Sequence, residues 1–125
     1  MDDLAERISD SELEVMKVLW EADEALPVTV IREELKERIG WEATTVKTLV
    51  SRLVGKEVVR QEKRKVFCYS PRITQKEYEH WATDSFVRHL FKGSAKNLIA
   101  SLLDSDGLTK EDIAELRDMF RVEDE

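Results

Sequence analysis

Gly40-Trp41-Glu42 is all that separates two helical patterns in this chain. Before it, Val30, Ile31, Leu35 and Ile39 line one apolar face. Leu26-Pro27 is expected to open that helix, with proline in the first turn, and Gly40 to close it as a C-terminal cap. After the link, Val46, Leu49, Val50, Leu53 and Val54 recur at i, i+3, i+4, i+7 and i+8, over about 43–55. Two helices joined so tightly read as a helix-turn-helix. Past Gly55 the period drops from helical to alternating. VVRQ and KVFCYS are β-rich and flank Glu62-Lys63-Arg64-Lys65, which reads as a β-hairpin with a basic tip. The tip has no Gly or Asn, so its turn type and register stay open.

Other signals extend this frame in both directions. Residues 1–8 read as frayed. ISDSELEVMKVLWEA is a first helix, with Ser9 and Glu12 as a capping box and Leu13, Met16, Leu19 and Trp20 as its stripe. Downstream, Thr74 and Glu77 cap a helix over about 75–92 that bears Tyr78, Trp81, Phe86 and Leu90 and is broken by Gly93. Leu98, Ile99, Leu102 and Leu103 make a short apolar patch. Thr109 and Asp112 then cap a last helix with Ile113, Leu116, Met119 and Phe120, and the VEDE tail reads as disordered. The expected fold is mainly α with a small β-hairpin: a winged helix-turn-helix over 1–73 and a helical dimerisation region over 74–125. The C-terminal helices are too short to enclose a core of their own, so a second copy of the chain is the simplest cover for their apolar faces. Trp81, Phe86, Leu98, Leu102, Ile113 and Leu116 are the residues assigned to that contact.

Charge points to the partner of the first region. Residues 41–72 hold eight Lys/Arg against three acids, +5, between flanks of −7 (1–40) and −5 (73–125). A basic island in an acidic chain suits a polyanion. On the helix over 43–55, Thr44, Thr48 and Ser51 lie opposite the apolar stripe, flanked by Thr45, Lys47 and Arg52. Such a helix fits a major groove. Thr44, Thr45, Lys47, Thr48 and Ser51 are therefore assigned to base edges or nearby phosphates of double-stranded DNA, and Arg52, Lys63, Arg64 and Lys65 to backbone positioning. The rival reading is a winged helix that docks an acidic protein.

Catalysis and metals find little support. The sequence has no GxGxxG, Walker loop, HExxH or CxxC, and no carboxylate pair that suggests acid–base work, so the expectation is no enzyme, no cofactor and no metal. His80 and His89 stand nine residues apart on one helix and do not make a metal pair. Cys68 reads as a small strand residue, with redox sensing near Arg64 and Lys65 as the alternative. As the one cysteine, it fits a reducing cytosol. Trp20 and Trp41 read as core anchors. No apolar run approaches a membrane span, and MDDLAERISD is unlike a signal peptide, so a cytoplasmic protein without a membrane partner is expected.

ISDSELEVMKVLW, WEATTVKTLVSRLVGKE and VFCYSP, with a weaker stretch from Gly93 to Phe120, resemble the penicillinase-repressor type regulators, the BlaI, MecI and CopY group. The resemblance covers about 8–120. It implies cytosolic homodimeric repressors whose winged helix binds a palindromic operator with TACA/TGTA half-sites. The C-terminal helices would dimerise, and the regulated operon would be of a copper-homeostasis or β-lactam-resistance type. Two features of the group are missing. The chain ends FRVEDE, without the C-terminal Cys-x-Cys motifs of the copper-responsive members, and Cys68 alone cannot replace them. At the Asn-Phe bond cut in the β-lactam-responsive members it has Ser101-Leu102, with Asn97-Leu98 one turn earlier. The wing tip also lacks the glycine often found there.

Overall fold

The computed structural model describes the backbone of residues 4–123 and the side chains of residues 4–121. It divides into two compact units, Met1–Ala82 and Thr83–Glu125. In the first unit a 3-10 turn, Leu4–Arg7, precedes α1 (Asp10–Glu21), β1 (Leu26–Pro27), α2 (Val28–Ile39), α3 (Ala43–Gly55), β2 (Val59–Lys63) and β3 (Phe67–Pro71). α4 (Gln75–Leu90) contains the division, and α5 (Ala95–Asp104) and α6 (Lys110–Glu123) follow.

Three helices start on capping boxes. Ser9 Oγ accepts from the Glu12 N–H at 3.2 Å while Glu12 Oε1 accepts from the Ser9 N–H at 2.9 Å, a complete capping box. Thr74 and Glu77 repeat it on α4, and Thr109 and Asp112 on α6. Gly40 ends α2 at φ 71°, donating to Lys36 O at 2.9 Å, a left-handed position that glycine takes without a Cβ penalty.

Met16, Leu19, Ile31, Leu35, Val46, Leu53 and Val58 are fully buried where α1, α2, α3 and the sheet meet. Around them pack Leu13, Trp20, Leu26, Trp41, Tyr69, Tyr78 and Trp81, so Trp20 and Trp41 border the core rather than fill it. Trp20 donates its indole N–H to Ile73 O at 2.9 Å and stacks on Tyr78, which in turn meets Trp81. The compact unit therefore runs past residue 73 to Ala82.

Three expectations are corrected. Pro27 is the N-cap of α2 rather than in its first turn, and Leu26-Pro27 also form a short edge strand, pairing with Tyr69 and Cys68. Pro27 is extended, at φ −70° and ψ 156°, and an edge strand tolerates its missing N–H. The hairpin thus becomes a three-stranded antiparallel sheet in the order β1-β3-β2. Of residues 1–8, 4–8 are not frayed but turn against the core, with Ala5 and Ile8 buried, and 1–3 lie outside the described residues. Finally, α6 continues to Glu123, so half of the VEDE tail is helical, and Asp124 and Glu125 lie outside the described residues.

In the second unit, α5 and α6 border an apolar groove of about 260 Å³ lined by Ile99, Leu103, Leu108, Ile113, Leu116, Arg117 and Phe120. Phe86 and Phe91 meet edge to face at 5.7 Å. No described side chain of this unit is buried.

Candidate nucleic-acid interface

The packing that buries Val46, Leu49, Val50 and Leu53 turns the opposite face of α3 outward. Thr44, Thr45, Lys47, Thr48, Ser51 and Arg52 are all exposed there. Thr48 Oγ1 donates to Thr44 O at 2.9 Å, which fixes the hydroxyl of this exposed residue. Glu42 stands at the N-cap but gives α3 no side-chain bond, so its first-turn N–H groups have no cap from that residue.

Two clefts flank this face. One, about 480 Å³, is lined by Ser11 of α1, Trp41, Thr44, Thr45, Thr48, Leu49 and Arg52. The other, about 220 Å³, lies between α3 and the sheet, with Val28, Lys47, Val50, Ser51, Val54, Gln61 and Tyr69 on its walls. A third recess of about 270 Å³ adds Arg32 and Lys36 of α2 beside Trp41. Trp41, Arg32, Lys36, Gln61 and Tyr69 are thus neighbours of the site that the pattern of α3 alone did not reveal. Arg32 and Lys36 are four residues apart on one helix face, a readable signal masked by the −7 of their segment.

The wing is pinned in register. Lys63 opposes Phe67, Glu62 opposes Cys68 and Gln61 opposes Tyr69, leaving a three-residue tip, Arg64-Lys65-Val66. Arg64 N–H donates to Val66 O at 3.0 Å. No tip residue takes a positive φ, which is why the turn forms without Gly or Asn. Lys63, Arg64 and Lys65 are exposed at this end. Arg64 contacts Glu62 at 3.5 Å, whereas Lys47, Arg52, Lys63 and Lys65 have no carboxylate within ion-pair reach among the described residues.

The frame behind the site holds one buried charge. Glu12 is 1% exposed, and its two oxygens accept from Lys56 Nζ at 2.7 and 2.9 Å. Lys56 Nζ also donates to Arg7 O at 2.9 Å, and Arg7 Nη1 to Lys56 O at 2.6 Å. Burial pushes the Glu12 carboxyl up, but the bonds from Lys56 and the Ser9 N–H outweigh it and hold the group below its usual value. This clasp joins the N-terminal turn and the start of α1 to the end of α3, so it fixes the pose of the outward face.

The other assigned residues fall into two places. Phe86, Leu98, Leu102, Ile113 and Leu116 are in the second unit, with Ile113 and Leu116 on the groove wall. Trp81 lies instead against the core of the first unit. Cys68 is buried in β3, its thiol 3.7 Å from Val66 O. No helix among the described residues is long and apolar enough to cross a membrane.

A family model described as penicillinase repressor matches residues 8–121. A penicillinase repressor of Bacillus licheniformis is 34% identical over 88% of this chain and 86% of its own length. The methicillin resistance regulatory protein MecI of Staphylococcus aureus is 28% identical over 96% of this chain and 98% of its own. Among solved structures, the DNA-binding domain of the repressor BlaI aligns at a TM-score of 0.54 and 34% identity, covering 62% of this chain and 94% of that one. The monomeric form of Bacillus licheniformis BlaI in complex with the blaP half-operator aligns at 0.51 and 36% identity, over 57% of this chain and 87% of that one.

Proposed function

Because the chain belongs to the penicillinase repressor family, we propose that it represses transcription as a homodimer bound to a palindromic operator. The observation that carries this reading is the outward face of α3, where hydroxyls and unpaired cations stand beside a basic wing in an otherwise acidic chain. α3 enters the major groove. There Thr44, Thr45, Lys47, Thr48 and Ser51 meet base edges or nearby phosphates, with the Thr48 methyl suited to a thymine methyl. Arg52, Lys63, Arg64 and Lys65 hold the backbone and set the register. Such a protein works in the cytoplasm, on DNA, and its relatives are repressors rather than enzymes.

The winged-helix part ends at Ala82 in this reading, because Tyr78 and Trp81 complete its core. The second unit dimerises through Phe86, Leu98, Leu102, Ile113 and Leu116. Two-fold symmetry of the dimer then matches two-fold symmetry of the operator, for which TACA/TGTA half-sites are the first candidates by resemblance. Repression is steric: a dimer on the promoter keeps polymerase off. The operon is of a copper-homeostasis or β-lactam-resistance type by the same resemblance.

Binding to a palindromic TACA/TGTA duplex, followed across a salt series, tests the reading. With about four phosphate contacts per subunit, log K against log salt should fall with a slope near −7. Equal affinity for a scrambled duplex at one salt concentration would remove the operator from the proposal. A slope near zero would remove DNA altogether and favour an acidic protein as the partner of the basic face.

A further inference from the structure

The wing tip carries apolar surface that the core does not use. Val66 is 57% exposed and Phe67 47%, and in Met1–Ala82 the only other large exposed apolar side chain among the described residues is Ile39, at the end of α2. Cations surround the two: Lys63, Arg64 and Lys65 are exposed beside them. Lys63 stands opposite Phe67 in the ladder, and its ammonium sits 4.7 Å from the ring centroid. That contact restrains a long side chain and holds its charge at a fixed place beside an apolar face.

The position of the pair matters as much as its chemistry. Side chains alternate along a strand, so Phe67 shares a face with Tyr69, and Lys63 shares it with Gln61. Gln61 and Tyr69 wall the cleft against Lys47 and Ser51 of α3. The Lys63–Phe67 pair therefore lies two residues further out on the α3 side of the wing, about 7 Å along the strand. An apolar patch ringed by cations does not suit bulk solvent or an uncharged protein surface. It does match the edge of a DNA groove, where the C–H faces of deoxyribose alternate with phosphates.

We propose, on the premise that the chain binds DNA as described above, that Val66 and Phe67 form an apolar foot. It packs on the deoxyribose edge of the minor groove next to the stretch read by α3, while Lys63 meets the adjoining phosphate. Apolar side chains set against the minor groove are an established way to grip DNA without reading a base in full. The foot adds affinity that does not depend on salt, unlike the cations around it.

The test uses the full chain and a fluorescein-labelled palindromic TACA/TGTA duplex, with a scrambled duplex alongside. Phe67→Ser should weaken binding about tenfold at every salt concentration and leave the slope of log K against log salt unchanged. Phe67→Leu should recover most of that loss. Lys63→Met should instead flatten the slope by about 1. In hydroxyl-radical footprints, Phe67→Ser should lose protection of the minor-groove sugars flanking the α3 footprint and keep the rest. A Phe67→Ser protein that binds and footprints like the parent overturns the inference. So does one whose affinity is intact while its sedimentation changes, which would place the foot between two copies of the chain. A parent chain that binds neither duplex overturns the DNA reading itself, and the foot with it.

Discussion

Met1–Ala82 and Thr83–Glu125 solve the same problem differently. In the first unit, amphipathic helices find each other and a sheet: among the described residues, every member of the buried core belongs to it, from Ala5 to Ile73. In the second, helices with apolar faces as strong find too little to cover them. Phe86, Leu90, Leu103, Met119 and Phe120 are each at least half exposed. α5 and α6 span only 10 and 14 residues, lengths at which an isolated helix is marginal in water. Capping at Ser94 and Thr109 starts these helices but cannot hold them alone. One unit is finished by its own sequence. The other leaves its apolar faces exposed, and the proposed homodimer would cover them.

The largest effect should follow from separating the units. A fragment of residues 1–82 should fold and be a monomer, while the full chain sediments as a dimer. Its affinity for the full operator should fall by about 10²–10⁴, because the second half-site is no longer bound at high effective concentration. A cut at residue 73 should be worse still. It removes Tyr78 and Trp81, exposes Trp20 and should cost the first unit about 2–4 kcal/mol on denaturant unfolding. A 1–82 fragment that remained a tight dimer would move the interface into the winged helix and undo the contrast.

A single change in the second unit should come next. Leu102→Asp adds a charge to each side of a symmetric contact. It should weaken dimerisation by about 3–6 kcal/mol, twice the burial of one leucine, and leave the melting of the 1–82 part unchanged. Melting that shifted in both parts would show that the units share a core.

The buried clasp sets the third effect, confined to the first unit. Lys56→Met leaves the Glu12 carboxylate buried without its partner and should cost about 2–4 kcal/mol. Glu12→Gln leaves Lys56, 38% exposed, able to reach water and should cost about 1–2 kcal/mol. The carboxyl is held below its usual 4.5, so the folded state binds its proton less readily than the unfolded chain. The stability it gives is present above that value and lost as pH falls through the lower folded-state value. In Glu12→Gln the acid limb of the stability curve should therefore be shallower.

What the residue pattern revealed was local, and what it hid was distant. The capping boxes at Ser9, Thr74 and Thr109 need a partner three residues away, and all three form. The outward face of α3 follows from helical periodicity alone. By contrast, Glu12 has its ion-pair partner 44 residues on, so its sequence neighbours explain the cap but not the clasp. Leu26-Pro27 becomes a strand only because β3 passes beside it. Periodicity puts Trp81 one turn from Tyr78 on α4, but it cannot show that this face meets Trp20 and the core of the first unit rather than the C-terminal apolar residues. Phe67 lies in the β-rich run KVFCYS, where alternation cannot tell a strand's last buried position from its first exposed one.

The smallest effect compares the same backbone strain in the two units. Glu57 joins α3 to β2 at φ 65°, and Lys92 follows α4 at φ 52°, both left-handed positions that side chains disfavour. Glu57 is locked there because Glu57 N–H donates to Val54 O and Val58 N–H to Leu53 O, each at 3.0 Å. Glu57→Gly relieves the strain but frees the unfolded chain, so the net gain should be about 0.5–1 kcal/mol. For a unit of this size that is a rise of roughly 2–8 °C in Tm. Lys92→Gly relieves a similar strain in the second unit and should leave the Tm of the first where it was. Its gain should appear only as a firmer dimer, because in the proposed homodimer that unit's order is tied to association. Calorimetry of both variants at two protein concentrations separates the cases. The Glu57→Gly shift should not depend on concentration, and the Lys92→Gly shift should. If both respond alike, the two units fold as one, and the contrast between a closed core and an open interface fails.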